Sequence, residues 1–331
     1  MNLEIFKANH GVFFISVTND SGLEVILSTL GASIYSLKLD LEPMCLTLKD
    51  FEEFYTSGSY MGKTVGRIAG RVKDGKLCVG DKELSLDKNE GNNTLHGGYK
   101  SLAFLNFSHG VERLSNGIVV RFYLTTKKND SGFNGKCDYI VTYKIPKYDN
   151  NIIIEYDAVC KEDTYFNLTN HTYYNLANQK DILSHHLLIK AGKVQEVDDE
   201  LIPTGYKDVT NTLFDFRDDK LISKVIKEDE LHKVKLNGVD HRFLFDQVDG
   251  EEIEANLALS CDMYKMKIFT DFDAVQIYMD GFNSDKELIT GDKDTMYKGI
   301  AIEPVNMEPE FVKGKTHYKH KIKYVFERTC D

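Results

Sequence analysis

The sequence predicts an all-β fold, a large antiparallel β-sandwich with few short helices, and three observations lead to it. Turn dipeptides such as Asn116-Gly117 recur at short intervals, with alternating, strand-like runs between them. Helical periodicity is weak over the 331 residues. Hairpin turns join antiparallel neighbours, whereas parallel strands need long crossovers. Strand signals about every 10 residues imply roughly 25 to 30 strands.

The turns place the strands along the chain. The Asp74-Gly75 turn, between Val72-Lys73 and residues 76–79, predicts a tight hairpin. Asn116-Gly117 precedes a predicted strand over 118–124, and residues 149–151 lead into one over 152–159. The series continues at two further turn dipeptides, Asn237-Gly238 and Asp249-Gly250.

Helices and domain boundaries are scarce in this sequence. Only residues 50–55 and 227–235 have the pattern of short helical turns. No internal repeat is visible, which argues against a propeller. No Pro/Gly/Ser-rich linker divides the chain, so we expect one domain over residues 1–331.

The charge balance limits the class of ligand. The net charge is −11, with acidic residues spread along the chain, and the hydrophobic (42%) and charged (28%) fractions are ordinary for a globular protein. Neither basic runs nor a high isoelectric point indicate a nucleic-acid or phosphate-rich partner. A neutral small molecule fits better.

The N-terminus and the cysteines favour a cytoplasmic protein. Residues 1–7 lack the basic start and long apolar stretch of a signal peptide. No apolar run approaches the roughly 20 residues needed to span a bilayer, so no membrane association is expected. The six cysteines are scattered without a CxxC pair, which predicts reduced thiols.

The most informative segment is residues 167–176, which places His171 in a run of amides, hydroxyls and phenols. Such a run is too polar for a core strand. We expect Asn170, Thr172 and Tyr173 to fix the imidazole tautomer and tune its pKa. A satisfied structural histidine is the alternative, but the density of polar rings and amides favours a ligand site.

Glu303 is the second strong candidate, because it ends the apolar run 300–302 and precedes Pro304, which fixes the backbone. Burial would raise the pKa of its carboxyl, and an arginine neighbour would lower it again. A donor at His171 and an acceptor at Glu303 predict acid–base chemistry on a hydroxyl-rich ligand. A surface-facing glutamate is the alternative.

Arg71 and His96 are weaker candidates. Arg67 and Arg71 lie four residues apart on a segment that contains several glycines. An arginine in such a place is more often solvated beside a hairpin. The functional alternative is that its guanidinium donates to ligand hydroxyls or to an active-site carboxylate. Gly97 and Gly98 follow His96 and would let the backbone approach a ligand closely while the imidazole points inward. An ordinary loop histidine is equally compatible.

Asp240 and Gln276 complete the candidate set. Asp240 precedes Arg242 closely, so it is either a neutralised turn aspartate or an acceptor for sugar hydroxyls. Strand alternation over 274–278 puts Gln276 and Tyr278 on one face and the apolar residues on the other. Gln276 therefore either lines a pocket or faces solvent.

Other chemistries find no support. No HExxH, P-loop, GxSxG or dinucleotide fingerprint is present, so no cofactor is predicted. The pairs His185-His186 and His317/His320 lack a cluster of further ligands, which argues against a metal site.

Taken together, these segments resemble those of the aldose 1-epimerases, the galactose mutarotase family. The resemblance covers nearly the whole chain, and its motifs are weak singly but strong in this order. They are the Gly-Arg segment ending at Arg71, residues 95–98, 130–135 and 167–176, Asp240-His241, Val275-Gln276 and Ile302-Glu303.

The resemblance implies a galactose mutarotase-like supersandwich with a solvent-accessible sugar cleft. It implies interconversion of the α and β anomers of free aldoses such as galactose and glucose, with Glu303 as general base and His171 as general acid. Both residues end each turnover as they began it, so no cofactor is needed. The sugar-holding residues would be Arg71, His96, Asp240 and Gln276, with Tyr173 lining the site.

Four segments depart from the family pattern. Gly70 stands where relatives usually carry asparagine, so one sugar or backbone contact is expected to be missing. Asn134 replaces a usual proline, which we interpret as a loop detail. Pro304-Val305 and Met279-Asp280-Gly281 replace the usual Thr-Gln and Thr-Gly-Asn. The acid and base are retained, so these departures bear on substrate preference.

Three alternatives stay open. A non-catalytic carbohydrate-binding or sensing module would bind sugar without rate enhancement, and would not need both His171 and Glu303. A hexose-6-phosphate 1-epimerase would need an added cationic pocket, which this acidic sequence does not show. A glycoside hydrolase would need two flanking carboxylates, for which Asp240 and Glu303 are the candidates.

Overall fold

The computed structural model describes residues 1–226, 238–246, 254–279 and 284–329. Within these ranges the chain forms 29 strands, two α-helices and several 3-10 turns. The strands of the first third are β1 (Asn2–Lys7), β2 (Phe13–Thr18), β3 (Leu23–Ser28), β4 (Ser33–Leu39), β5 (Glu42–Pro43), β6 (Cys45–Leu46), β7 (Thr64–Val65), β8 (Arg71–Val72), β9 (Lys76–Val79), β10 (Lys82–Ser85) and β11 (Thr94–Leu95).

The longest strands belong to the middle of the chain and to its C-terminal end. The middle strands are β12 (Ser108–Leu114), β13 (Gly117–Thr125), β14 (Cys137–Pro146), β15 (Asn151–Cys160), β16 (Thr164–Phe166), β17 (Thr169–Asn170), β18 (Tyr173–Tyr174), β19 (His186–Ile189), β20 (Ala191–Val197) and β21 (Pro203–Asp208). The last are β22 (Lys220–Leu221), β23 (Asp240–Phe245), β24 (Leu257–Ser260), β25 (Tyr264–Thr270), β26 (Ala274–Met279), β27 (Ile300–Val305), β28 (Glu310–Val312) and β29 (His317–Arg328).

Helical structure is limited to short pieces. Helix α1 (Phe51–Thr56) begins at Asp50, whose side chain accepts a hydrogen bond from the Glu53 amide at 2.8 Å, as an N-cap does. Helix α2 spans Ile222–Ile226. Neither helix in the described ranges has the length and apolar character needed to cross a bilayer.

Three large antiparallel sheets build the molecule. The first contains β1 to β5 in chain order. The second has nine strands in the order β12-β13-β14-β15-β29-β25-β24-β19-β22, and the third has seven in the order β21-β20-β23-β26-β27-β18-β6. Strands distant in sequence, such as β18 and β27, are therefore neighbours in the third sheet.

The inward faces of the two largest sheets share one hydrophobic core. Ile152 and Ile154 of β15 and Val275 and Ile277 of β26 all belong to the same buried cluster. Burying each such side chain contributes roughly 1.5–3 kcal/mol. Because side chains alternate along a strand, the opposite face of the seven-stranded sheet is left for polar residues.

The predicted fold class is confirmed, and the number of strands in the described ranges agrees with the predicted 25 to 30. The strand after Asn116-Gly117 is β13, paired with β12, and the strand after 149–151 is β15, paired with β14. Helix α1 confirms the helical turn at 50–55. The predictions at 227–235, Asn237-Gly238 and Asp249-Gly250 lie wholly or partly outside the described residues.

The predicted hairpin across Asp74-Gly75 is wrong. Strand β8 pairs with β11, and β9 pairs with β10, so the two segments flanking the turn go to different partners. Lys73–Gly75 forms a 3-10 turn, and the Asp74 amide donates to Oδ1 of Asn93 at 2.9 Å. A tertiary partner therefore overrides the local turn signal.

Candidate active site

Three neighbouring strands of the seven-stranded sheet form the floor of a cleft. Arg242 of β23 is opposite Gln276 of β26, which is opposite Glu303 of β27. One step along, Asp240 is opposite Tyr278. Directly opposed residues share a face of the sheet, so these five side chains project from the same side. The predicted alternation over 274–278 is confirmed.

His171 reaches this floor from the irregular segment after β17. Its amide donates to the Lys63 carbonyl and its carbonyl accepts from the Gly62 amide, both at 2.9 Å. The Asn170 side chain donates to the Gly62 carbonyl and accepts from the Thr172 amide. The polar residues here thus hold backbone that belongs to no long strand.

The expectation that Asn170 and Thr172 fix the tautomer of His171 is wrong. Its Nδ1 atom has no hydrogen-bond partner in the described ranges, because Asn170 and Thr172 are engaged with backbone and with each other. Ring contacts position it instead: Tyr173 stacks on it at 5.1 Å between centroids, and His96 meets it edge-on at 5.2 Å.

His96 presents a donor to the cleft. Its amide donates to the Gly70 carbonyl at 3.0 Å, and its Nδ1 accepts from the Gly70 amide at 3.2 Å. An imidazole whose Nδ1 accepts carries its proton on Nε2 when neutral. Burial, with His171 and Arg71 nearby, lowers the pKa of His96 well below its usual value, which keeps it neutral.

The glycines after His96 allow close packing of the backbone. A Cβ at Gly97, where φ is +90°, would lie 2.1 Å from the Gly66 carbonyl oxygen. A Cβ at Gly98 would lie 2.8 Å from Oγ of Ser131. These positions exclude any larger residue and fix the loop that carries the imidazole.

Arg71 donates through its guanidinium, as predicted, but its carboxylate partner was not predicted from the sequence. Its Nε and Nη2 donate to Glu90 at 2.6 and 2.9 Å, a bidentate pair. Its Nη1 lies 3.7 Å from Oδ2 of Asp240. Arg67, by contrast, is buried away from the cleft floor and donates to Tyr139, Thr164 and the Asn134 carbonyl.

The two strongest candidates converge at the bottom of the cleft. Nε2 of His171 lies 3.4 Å from Oε1 of Glu303, and the two side chains are 6% and 2% exposed. Burial of both groups disfavours the charged form of each one. The pair can therefore pass a proton between a carboxyl and an imidazole in a site from which water is largely excluded.

Burial shifts both groups toward their neutral forms. It raises the pKa of Glu303 to about 8, with Asp240 adding to the rise and Arg242 and Arg71 opposing it. It lowers the pKa of His171 to about 4. Between these values the pair holds one proton, so its two titrations belong to the pair as a whole.

One group of potential metal ligands exists in the described ranges. The donor atoms of His96, His171 and Glu303 lie within 4.8 Å of one another. The fit is poor, because the His96 tautomer presents Nε2–H and a protonated nitrogen cannot ligate. Arg71 and Arg242 also place positive charge beside the carboxylate.

The other histidine pairs do not converge on a common site. His185 accepts the Leu176 amide through Nε2, and His186 pairs with Asp219. His317 contacts Asp157, whereas His320 contacts Glu310 and Asp271. Each of these histidines is thus engaged in its own local contacts.

The cleft has a volume of about 510 Å³, which is within the range of small-molecule sites. All seven residues predicted from the sequence line it. Tyr278, which the sequence placed on the face of Gln276, also lines it, together with Tyr60, Glu90 and Arg242, which the sequence did not single out. Further lining residues are Gln195, Val197, Leu201, Pro203 and Pro309, and the exposed Asp199 and Glu308 lie at its rim.

Comparison with known proteins agrees with this geometry. The sequence model of the family described as Aldose 1-epimerase matches residues 14–324. A protein named aldose 1-epimerase from Haemophilus influenzae is 31% identical over 301 residues, covering 87% of this chain and 85% of the relative. A galactose mutarotase from Sus scrofa is 28% identical over 325 residues, covering 92% and 91%.

A solved structure agrees as well. The crystal structure of a galactose 1-epimerase from Lactobacillus acidophilus aligns with a TM-score of 0.89 at 26% identity, covering 99% of this chain and 98% of that chain. The resemblance inferred from the short motifs is confirmed. The chain belongs to the aldose 1-epimerase family and is an isomerase that interconverts the α and β anomers of aldose sugars.

Proposed function

We propose that this isomerase acts on free hexoses such as galactose and glucose, with Glu303 as general base and His171 as general acid. The observation that carries the proposal is the 3.4 Å approach of the two buried groups at the floor of a cleft large enough for a sugar. A carboxyl and an imidazole this close can both reach one pyranose ring.

Ring opening then needs two proton transfers and no net change in the enzyme. The Glu303 carboxylate takes the proton of the C1 hydroxyl while a C1=O bond forms and the bond from C1 to the ring oxygen breaks. The ring oxygen takes a proton from Nε2 of the His171 imidazolium. Rotation about C1–C2 turns the aldehyde, and closure on its other face reverses both transfers. Each positioned transfer is worth roughly 10²–10⁴-fold in rate.

The shared proton supplies the charged form that this mechanism uses. In the empty site burial favours the neutral pair, with the proton on Glu303. Moving that proton across the 3.4 Å contact to His171 gives the carboxylate and imidazolium without changing the number of protons bound. Arg71 and Arg242 favour this step because their charges stabilise the carboxylate.

The remaining predicted residues supply complementary groups for sugar hydroxyls. His96 offers Nε2–H as a donor, and Asp240 offers carboxylate oxygens as acceptors. Gln276 donates to Asp240 at 2.7 Å and retains its own carbonyl oxygen as an acceptor. Arg71 lends positive charge beside Asp240, and Tyr173 lines the site next to His171.

Electrostatics favours a neutral hexose over a phosphorylated one. The guanidinium fork of Arg71 is occupied by Glu90, and the outer cleft carries Asp199 and Glu308. A phosphate would meet carboxylates at this rim and no cationic cluster in the described ranges. A glycoside hydrolase is less well supported, because Asp240 is engaged by Gln276 and Arg71.

We further propose that residues 1–331 act as one domain in the cytoplasm. One hydrophobic cluster takes side chains from all three large sheets, which supports a single folding unit. The five described cysteines are free, including Cys137 and Cys160, which are directly opposed on β14 and β15. Free thiols in such a position fit a reducing compartment.

Polarimetry of freshly dissolved sugars tests the proposed substrates and roles. α-D-Galactose and α-D-glucose should equilibrate faster with the protein than in buffer, and glucose 6-phosphate should show far less acceleration. Glu303→Gln should lose the acceleration, while Glu112→Gln, the same change at an exposed carboxylate on β12, should keep it. Full activity in Glu303→Gln would remove the assigned base, and preference for the phosphorylated sugar would overturn the proposed substrate.

A further inference from the structure

Gly70 and Arg242 share one space at the edge of the cleft floor. A Cβ at residue 70 would lie 2.7 Å from Nη2 of Arg242 and 3.9 Å from its Cζ. That distance is too short for a real contact, so any side chain at residue 70 would displace the guanidinium from its present position.

Arg242 is buried and directly aligned with the proposed base. Only 7% of it is exposed, and it follows Gln276 and Glu303 in one row across β23, β26 and β27. A cation in such a position raises the stability of a nearby carboxylate most when both are desolvated.

The charge of Arg242 is not neutralised by a contacting carboxylate in the described ranges. Its guanidinium donates to three carbonyl oxygens, those of Met307 at 2.7 Å, Asn306 at 3.2 Å and Ala69 at 3.5 Å. Its Nε has no partner there. Two of the carbonyls follow β27 directly, so the same contacts hold the end of the strand that carries Glu303.

The other acids near Arg242 are engaged elsewhere. Oδ1 of Asp273 accepts the Met307 amide at 2.6 Å, and Glu308 accepts the Tyr206 hydroxyl at 2.5 Å. Asp240 accepts from Gln276 and faces Arg71. Burial lowers the pKa of the Arg242 guanidinium, and of the acidic groups around it Glu303 does most to oppose that lowering.

We propose that Arg242 is a positioning residue of this active site, which stabilises the charged form of Glu303 and fixes the end of β27, and that Gly70 provides the space for it. The proposal rests on the proposed function and deepens it. The guanidinium of Arg242 takes the place that a side chain at position 70 would fill. It lies in the row of residues that leads through Gln276 to the proposed base.

The pH dependence of kcat/KM tests the proposal. The groups facing Glu303 are His171, His96, Asp240, Arg71 and Arg242, and the first four are unchanged in Arg242→Met. Losing the positive charge makes the proton on the carboxyl harder to remove or transfer. We expect the plateau of kcat/KM to fall about tenfold and the basic limb to move about one pH unit higher.

Two further variants separate charge from structure. Arg242→Lys should keep the basic limb within about 0.3 units of the unaltered protein, because the charge remains. Gly70→Asn should reproduce the Arg242→Met profile by displacing the guanidinium, and the double variant should be no worse than Arg242→Met alone. Asparagine tolerates the positive φ of +84° at this position better than most residues.

The outcomes are distinct. If Arg242→Met stays folded by thermal unfolding and its basic limb does not move, the proposal is overturned. If Arg242→Met does not fold, Gly70→Asn provides the test: a basic limb that does not move in this variant overturns the proposal. If the unaltered protein itself fails to accelerate hexose mutarotation, the proposed function fails and the role of Arg242 in it fails too, whereas an active protein with an unmoved limb in Arg242→Met overturns the role alone.

Discussion

The Nε2 amide of Gln276 donates a 2.7 Å hydrogen bond to Oδ1 of Asp240, which joins β26 to β23 across the cleft floor. This bond fixes the amide orientation, and Oε1 of Gln276 is left as its acceptor. It also anchors the Asp240 carboxylate, whose negative charge disfavours ionisation of Glu303 two strands away on β27. The substrate-holding residues and the proposed base are therefore coupled electrostatically.

Asp240→Asn should move the basic limb of the pH profile in the opposite direction to Arg242→Met. The Asp240 carboxylate raises the pKa of Glu303, so its removal lowers that pKa and moves the limb to lower pH. KM should rise, because an acceptor for sugar hydroxyls is lost. Hexose mutarotation rates from pH 5 to pH 10 would measure both effects, and a limb that moves upward would contradict the assignment.

The unaltered protein should show a broad plateau of kcat/KM. The pair of Glu303 and His171 holds one proton between pH values of about 4 and about 8, and only that state contains one acid and one base. At pH values below the plateau the pair binds a second proton, on the imidazole. At pH values above the plateau the pair loses its single proton. Activity should fall about tenfold per pH unit outside these limits. A narrow optimum centred near pH 5 would be inconsistent with this state.

Removing both members of the pair should cost little more than removing one. Glu303→Gln and His171→Asn should each lower kcat by roughly 10²–10⁴-fold, because each transfer depends on the other. The double variant should lie within about tenfold of the worse single variant. Losses that multiply fully would indicate two independent contributions. Stopped-flow polarimetry with α-D-glucose at saturation provides the comparison.

The strand pattern predicted the fold class and one face of the candidate site. Alternation over 274–278 placed Gln276 on the cleft face correctly, since a period of two is a local property. The same alternation places Arg242 on the same face of β23 as Asp240, which precedes it by two residues. It was missed because an arginine beside an aspartate also has the ordinary interpretation of a neutralising neighbour.

Contacts made by distant segments could not be obtained from the sequence. Glu90 accepts hydrogen bonds from Arg71 because β8, which begins at Arg71, pairs with β11. Glu90 lies shortly before β11 in the chain. The local turn at Asp74-Gly75 indicated a different pairing. Likewise, nothing local shows that β26 lies between β23 and β27, and that order is what aligns Glu303 with Arg242.

Lys63 provides a test of the backbone contacts that hold His171 in place. It is fully buried, its Nζ donates to the Phe54 carbonyl at 2.9 Å, and it lies 4.5 Å from the Phe54 ring centroid. Burial lowers the pKa of this ammonium to about 7. The side chain thus ties α1 to the backbone that pairs with His171, in a form that carries little charge above neutral pH.

The stability of the protein should therefore depend on pH through Lys63. Between about pH 7 and 10 the unfolded chain binds a proton at this lysine that the folded chain has released, so folding becomes more favourable as pH rises. The free energy of unfolding should rise relative to that of Lys63→Met by up to roughly 1.4 kcal/mol per pH unit in this window. Urea unfolding of both proteins at pH 7, 8 and 9 gives the difference directly, since every other titrating group is common to the two. A difference that does not change with pH would show that Lys63 stays charged in the fold, held by the Phe54 carbonyl and ring.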